Sequence, residues 1–147
     1  MTDFQIAHTS ALDGETLAAA RALLAEVFVA DFTDHDWEHA LGGMHALIWE
    51  RSDLVGHASV VQRRLLHGGR ALRTGCVEGV GVRVDRRRRG HGAAMMQALE
   101  RVVRSAYDLG ALSASEEAMT FYEGRGWKVW RGPCSTLTPS GIMRTAQ

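Results

Sequence analysis

Residues Val80 to Gly92 read Val-Gly-Val-Arg-Val-Asp-Arg-Arg-Arg-Arg-Gly-His-Gly: an apolar run, four consecutive arginines and a Gly-x-Gly that opens a helical pattern. The chemistry of such a stretch is anion binding. The first amides of a helix have no partner within it, and the helix dipole adds positive charge at that end. Glycine lets a ligand approach the backbone, and neighbouring arginines add charge-assisted bonds. The phosphate candidates are Arg87, Arg88, Arg89, Gly90, His91, Gly92 and Ala93. The stretch lacks both the Gly-x-Gly-x-x-Gly of dinucleotide turns and the Gly-Lys-Ser/Thr ending of nucleoside-triphosphate loops. A nucleic-acid partner is disfavoured: 17 basic side chains balance 17 acidic ones, and no aromatic residue interrupts the arginines.

A second cluster has the opposite sign. Asp31, Asp34, Asp36 and Glu38 crowd one segment, so the chain carries an anion-attracting and a cation-attracting patch. That combination suits an anionic cofactor and a cationic substrate; two solvated surface runs are the plain alternative. Glu78 lies two residues before Val80, which on a regular strand puts both on one face. An alkyl amine arrives charged at neutral pH and must lose a proton before it attacks, and Glu78 is the best base for that. A structural carboxylate paired with an arginine is the other reading.

The elements that must hold these residues follow from pattern. Phe4 to Thr9 reads as a strand. Asp13 caps a helix with Leu17, Ala20, Leu24, Val27 and Phe28 on one face. Thr33 and Asp36 form a capping box, with Asp in place of Glu, opening a short helix. In that role Asp36 needs no ligand. Gly43 to Glu50, Leu54 to Leu66 and Ala71 to Val84 are strands joined at Arg51-Ser52-Asp53 and His67-Gly68-Gly69-Arg70. After the arginine loop a helix carries Ala93, Met96, Leu99, Val102, Val103 and Ala106 on one stripe. Ala111 to Ala114 is a short strand whose end presents Ser113 to the cofactor cleft. Ser115 caps a helix through Tyr122, and Trp127 to Trp130 starts a last strand. The class is α/β with a mixed, mostly antiparallel sheet flanked by helices.

With 147 residues, one domain spanning 1–147 is expected. The start MTDFQIAHTS has no secretory pattern, and no run approaches the roughly 20 apolar residues of a membrane span. Cytoplasm is the expected compartment, with no membrane partner. Cys76 and Cys134 have no metal or disulfide-framework spacing. The seven histidines show no metal pattern either, so His45 and His57 read as packing or surface groups and no metal is expected. The four tryptophans read as core or cleft wall. A homodimer stays open.

Arg87-x-x-Gly90-x-Gly92 after a strand ending Val80-x-Val82 resembles the acetyl-coenzyme A motif of the GNAT N-acetyltransferases. The resemblance implies acetyl-coenzyme A as cosubstrate, its pyrophosphate on the loop amides and its pantetheine beside the backbone of Val80 and Val82. A narrower resemblance rests on Asp31-Phe32-Thr33, Asp36-Trp37-Glu38-His39, Leu41-Gly42-Gly43-Met44-His45-Ala46, Val77-Glu78-Gly79-Val80, Leu109-Gly110-Ala111-Leu112-Ser113 and Arg125-Gly126-Trp127. These blocks are similar to aminoglycoside 2′-N-acetyltransferases, enzymes that acetylate the 2′-amine of aminoglycoside antibiotics and so confer resistance. It implies substrate contacts from Asp31, Asp36, Glu78 and the Gly79 backbone, and a catalytic tyrosine at Tyr122; a half-buried core aromatic is the alternative there. The resembled enzymes run further than Gln147. The tail from Pro139 offers no equivalent of their final strand, so a missing strand and an unpaired sheet edge are expected. A GNAT enzyme for another amine, such as a polyamine or cell-wall precursor, and an inactive coenzyme A-binding remnant are the competing readings.

Overall fold

The computed structural model describes residues 2–29, 31–130, 135–138 and 141–144, the last two segments by backbone alone. The chain divides into two compact units, Met1–Ser113 and Ala114–Gln147.

The first unit is built on a five-stranded sheet in the order β1-β2-β3-β4-β5. Strands β1 (Thr2–His8), β2 (Met44–Glu50), β3 (Asp53–His67) and β4 (Arg70–Val82) form an antiparallel meander, and β5 (Leu109–Ala111) joins β4 in parallel. The β3–β4 turn holds Gly68 and Gly69 at φ 57° and 77°, the left-handed pair of a tight hairpin. The centre of the sheet is buried on both faces, which is why β3 reads Leu-Val-Gly-His-Ala-Ser-Val without clean alternation.

Helix α1 (Gly14–Val27) starts where Asp13 accepts the Thr16 amide at 2.8 Å, a bond that holds the Asp13 carboxyl below its usual range. It packs Ala20, Leu23 and Leu24 with Trp37, Ala40, Leu47 and Leu54 into one core cluster. Helix α2 (Asp34–His39) has both bonds of the expected capping box, Thr33 amide to Asp36 at 2.9 Å and Asp36 amide to Thr33 at 3.2 Å. Helix α3 (His91–Ala106) covers the other face with buried Met95, Met96 and Leu99. The faces are told apart by what a methyl group at each strand glycine would meet. At Gly79 and Gly81 it meets Leu24 of α1, at Gly56 it meets Met95 and at Gly75 Val103, both of α3.

In the second unit, α4 (Glu116–Glu123) follows Ser115, whose side chain makes no capping bond. Strands β6 (Ser135–Thr138) and β7 (Gly141–Arg144) pair only with each other. Two expectations change here. Trp127 to Trp130 is not a strand, and Trp130 is 56% exposed rather than core or wall. The tail past Pro139 does contain a strand, β7, paired antiparallel with β6. Among the described residues the main sheet ends on β5, whereas the unpaired edge was expected beside a sixth strand at Trp127 to Trp130. No helix among them is long and apolar enough to cross a membrane.

Candidate active site

Strand β4 is irregular where the chemistry was expected. Ser59 pairs with Glu78 and His57 with Gly81, so two steps on β3 face three on β4. The extra residue makes a bulge, and Gly79 takes φ +56°, a left-handed conformation that favours glycine. Cross-strand partners share a face. Glu78 therefore stands with Gly81 on the α1 side, and Val80 on the α3 side. The expectation that Glu78 and Val80 share a face is overturned, because the bulge inserts one residue between them.

On its other side β4 has β5. Their pairing covers only Thr74–Cys76 against Leu109–Ala111. Beyond Cys76 the β5 side of β4 has no strand partner among the described residues. Strand β5 stops at Ala111. Ser113 lies past its end, exposed, and not on a strand to Ala114 as expected.

The strand leads through a 3₁₀ turn at Val84–Arg86 into the arginine loop. Arg88 and Gly90 are left-handed, at φ 62° and 80°, and Gly90 is the residue before α3. No side chain caps this helix and its first turn holds no acidic residue. A methyl group at Gly90 would meet nothing within 4 Å. These are the conditions for an anion at the amides of His91, Gly92 and Ala93. The arginines divide their work. Arg86 turns inward to Glu50 at 2.9 Å and to Asp85 at 3.0 Å. Arg87 donates from Nε to the Val82 carbonyl at 3.2 Å, while its exposed neighbours Arg88 and Arg89 project from the loop. The Arg86 hydrogen bond holds the Glu50 carboxyl below its usual range.

Glu78 is half-buried. Burial pushes its carboxyl above the usual glutamate range, and Arg63, whose Nη2 stands 3.9 Å away, pulls against that. Of the two sequence readings of Glu78, the structure bears on one: an arginine neighbour stands 3.9 Å away. Arg63 is itself tied to the His39 carbonyl of α2 at 2.9 Å. Asp36 is near enough for its charge to raise Glu78 further. Asp36 also uses one carboxylate oxygen in the capping box, so its helix role is real whatever it binds. Asp31 is exposed just before α2, its amide on the Phe28 carbonyl at 3.0 Å. Tyr122 belongs to the second unit. It is 8% exposed, lies edge-on to Phe121, and burial pushes its phenol up, which keeps it protonated.

Sequence reasoning missed the histidines. His45 and His57 are both fully buried and hydrogen-bonded to each other, Nδ1 to Nε2, at 2.9 Å. His45 Nε2 meets the Thr9 hydroxyl at 2.7 Å, and His57 Nδ1 meets the Gly79 carbonyl at 2.7 Å. Burial lowers each ring to a pKa of about 4. The signal available was polar residues inside otherwise apolar strands; the pairing across the β2–β3 hairpin was not.

Comparison with known proteins agrees with this geometry. A family described as Acetyltransferase (GNAT) domain matches residues 9–130. The chain belongs to the GNAT acetyltransferase family. It is 54% identical over 143 residues to an aminoglycoside 2′-N-acetyltransferase of Mycolicibacterium fortuitum, covering 97% of this chain and 73% of that protein. Two GNAT-like solved structures share the fold. An acyl-CoA N-acyltransferase from Pseudomonas aeruginosa matches with TM-score 0.69 at 22% identity, over 99% of this chain and 100% of that one. A predicted acetyltransferase from Clostridium acetobutylicum, solved with acetyl-CoA, matches with TM-score 0.68 at 13% identity, over 88% and 92%. GNAT acetyltransferases use acetyl-coenzyme A, and the uncapped α3 start, the open space at Gly90 and the free edge of β4 fit a pyrophosphate with a linear arm. Among the described residues no group of three or more His, Cys, Asp or Glu is placed to hold a metal ion.

Proposed function

We propose that this GNAT acetyltransferase moves an acetyl group from acetyl-coenzyme A to the 2′-amine of aminoglycosides by direct attack of the amine on the thioester. The observation that carries the reading is the continuity of β4. One strand bears a half-buried carboxylate, opens its backbone edge beyond a bulge, and runs into an uncapped helix start flanked by arginines. The choice of substrate is supported by the 54% identical relative and by the acidic residues beside Glu78. The family match spans both compact units, which supports one catalytic domain over the chain. A cytoplasmic site of action fits the need for acetyl-coenzyme A.

In this reading Asp31, Asp36 and Glu78 draw in the polycation, with the Gly79 backbone beside them. Glu78 takes the proton from the attacking amine; its raised pKa brings it nearer the pH of the reaction, where a base works best. The Val80 amide faces the oxygen that gains charge as the thioester carbonyl is attacked. Tyr122, protonated by virtue of its burial, returns a proton to the departing thiolate. Arg87, Arg88, Arg89 and the amides of Gly90 to Ala93 hold the phosphates, and Val82 and Ser113 border the arm.

The test combines melting with turnover. A ligand at 100 times its Kd stabilises the native state by about 2.7 kcal/mol. Acetyl-coenzyme A should raise the melting midpoint clearly and phosphate-free pantetheine much less. Free thiol should then appear on adding an aminoglycoside to wild-type protein and far more slowly with Glu78→Gln. Equal shifts from both ligands, or equal rates, would remove the phosphate loop or the base from the account.

A further inference from the structure

We propose that Thr9, His45 and His57 form a fixed chain of positioning residues that clamps the Gly79 bulge and thereby sets Glu78 and the Val80 amide for the reaction. This rests on the reading of β4 as the acetyl-transfer strand.

The chain has one consistent direction. A carbonyl only accepts, so His57 must donate Nδ1–H to Gly79 at 2.7 Å. A neutral ring then has a bare Nε2, which takes Nδ1–H from His45 at 2.9 Å. His45 in turn has a bare Nε2, which takes the Thr9 hydroxyl proton at 2.7 Å. The Thr9 oxygen accepts the Gly42 amide at 2.8 Å. With both rings neutral, every link is satisfied only if both carry the proton on Nδ1, and the Thr9 hydroxyl then turns to His45 rather than to the Gly43 carbonyl 3.3 Å away.

Why such a chain sits here follows from the bulge. Gly79 has no partner in the β3–β4 register, so its carbonyl would be left without a ladder bond. His57 supplies the donor that no backbone group supplies. The ring is also the wall of the bulge: a methyl group at Gly79 would lie 3.3 Å from its Cε1. On its far side His57 faces Trp37 of α2, ring centroids 6.2 Å apart, one residue from Asp36. On the strand, Glu78 precedes Gly79 and its own carbonyl accepts the Ser59 hydroxyl at 3.4 Å. A hydrophobic residue would fill the space of His57 at lower desolvation cost, but it would free the Gly79 peptide to rotate. The chain is not a proton wire, because its inner end is a carbonyl that cannot pass a proton on.

The experiment uses His57→Asn, whose side-chain amide can stand near the Nδ1 position, and His57→Leu, which fills the space without a donor. If the clamp positions the base, His57→Leu lowers kcat by about ten- to hundredfold, the scale of a small misplacement. Acetyl-coenzyme A KM stays near wild type, and His57→Asn restores most of kcat. Turnover is read with the amine that the wild-type protein accepts, so a wrong substrate shows in the wild type and a wrong clamp only in the variants. A second measurement needs neither turnover nor a variant at position 57. ¹⁵N NMR of the wild-type rings at neutral pH should show Nδ1 protonated and Nε2 bare in both, and Thr9→Val should leave that pattern in place, since the Gly79 carbonyl sets its direction. The proposal is overturned if His57→Leu keeps kcat, if Asn and Leu fall alike, or if either ring is found as the Nε2–H tautomer.

Discussion

Acid should unfold the first unit through its buried histidines well before its carboxylates titrate. His45 and His57 have an ordinary pKa of 6.5 and about 4 in the fold, with burial as the largest cause for each. The sign follows from proton counting. The folded-state value is depressed, so between these values the unfolded chain binds more protons, and stability falls as pH falls from 6.5 towards 4. Between about pH 7.5 and pH 5 each unfolded ring is protonated over roughly 1.5 pH units. At about 1.36 kcal/mol per unit that is roughly 2 kcal/mol per ring, or about 4 for the pair. Coupling between the rings does not weaken this, since repulsion makes a second native protonation harder still. His8, whose charge also opposes that of His45, works in the same direction. A loss of about 4 kcal/mol is a large part of the 5–15 kcal/mol that domains have in total. Urea unfolding at the two pH values measures it, with the double variant His45→Gln/His57→Gln as reference. The variant should be weaker at the higher pH and lose much less on acidification. A wild-type change below about 1 kcal/mol would refute the neutral buried pair.

Other outcomes follow from the same geometry. Glu78→Gln should lower kcat by about 10²–10⁴-fold. In wild type, activity should fall with pH through a Glu78 pKa above the usual glutamate range, and that acid limb should vanish in the variant. Gly79→Ala would force alanine to φ +56° with its methyl 3.0 Å from Leu24 Cδ1; a left-handed residue costs about 1–2 kcal/mol, so the melting midpoint should drop with kcat. Arg88→Ala/Arg89→Ala should raise the acetyl-coenzyme A KM, most at low salt, while leaving the pantetheine melting shift unchanged. Asp31→Asn/Asp36→Asn should raise the aminoglycoside KM, less so in high salt, without touching acetyl-coenzyme A binding.

Local rules made much of this fold legible. Asp13 and Thr33 announce their helices because each satisfies a free amide within three residues, and Gly68-Gly69 announces its hairpin by the φ values it allows. The arginine loop was readable for the same reason, as strand, loop and helix are contiguous. What escaped depends on register. The side of the sheet that Glu78 takes is set by one inserted residue in β4. The glycines at 79 and 81 were a usable hint, since glycine inside a strand marks a bulge. The histidine pair joins positions twelve apart on a hairpin, and no spacing rule links them. Trp127 to Trp130 was read as the start of a strand, but the segment is not one.

The central claim, acetyl transfer to a 2′-amine, is tested most directly by two aminoglycosides alike except for an amine or a hydroxyl at the 2′ position. Each is incubated with the protein and acetyl-coenzyme A, and the product is located by NMR. The account predicts one acetyl group, on the 2′-nitrogen of the amine-bearing compound, and no free thiol with its hydroxyl counterpart. Acetylation of both at some other nitrogen, or of neither while a different amine is consumed, would contradict it.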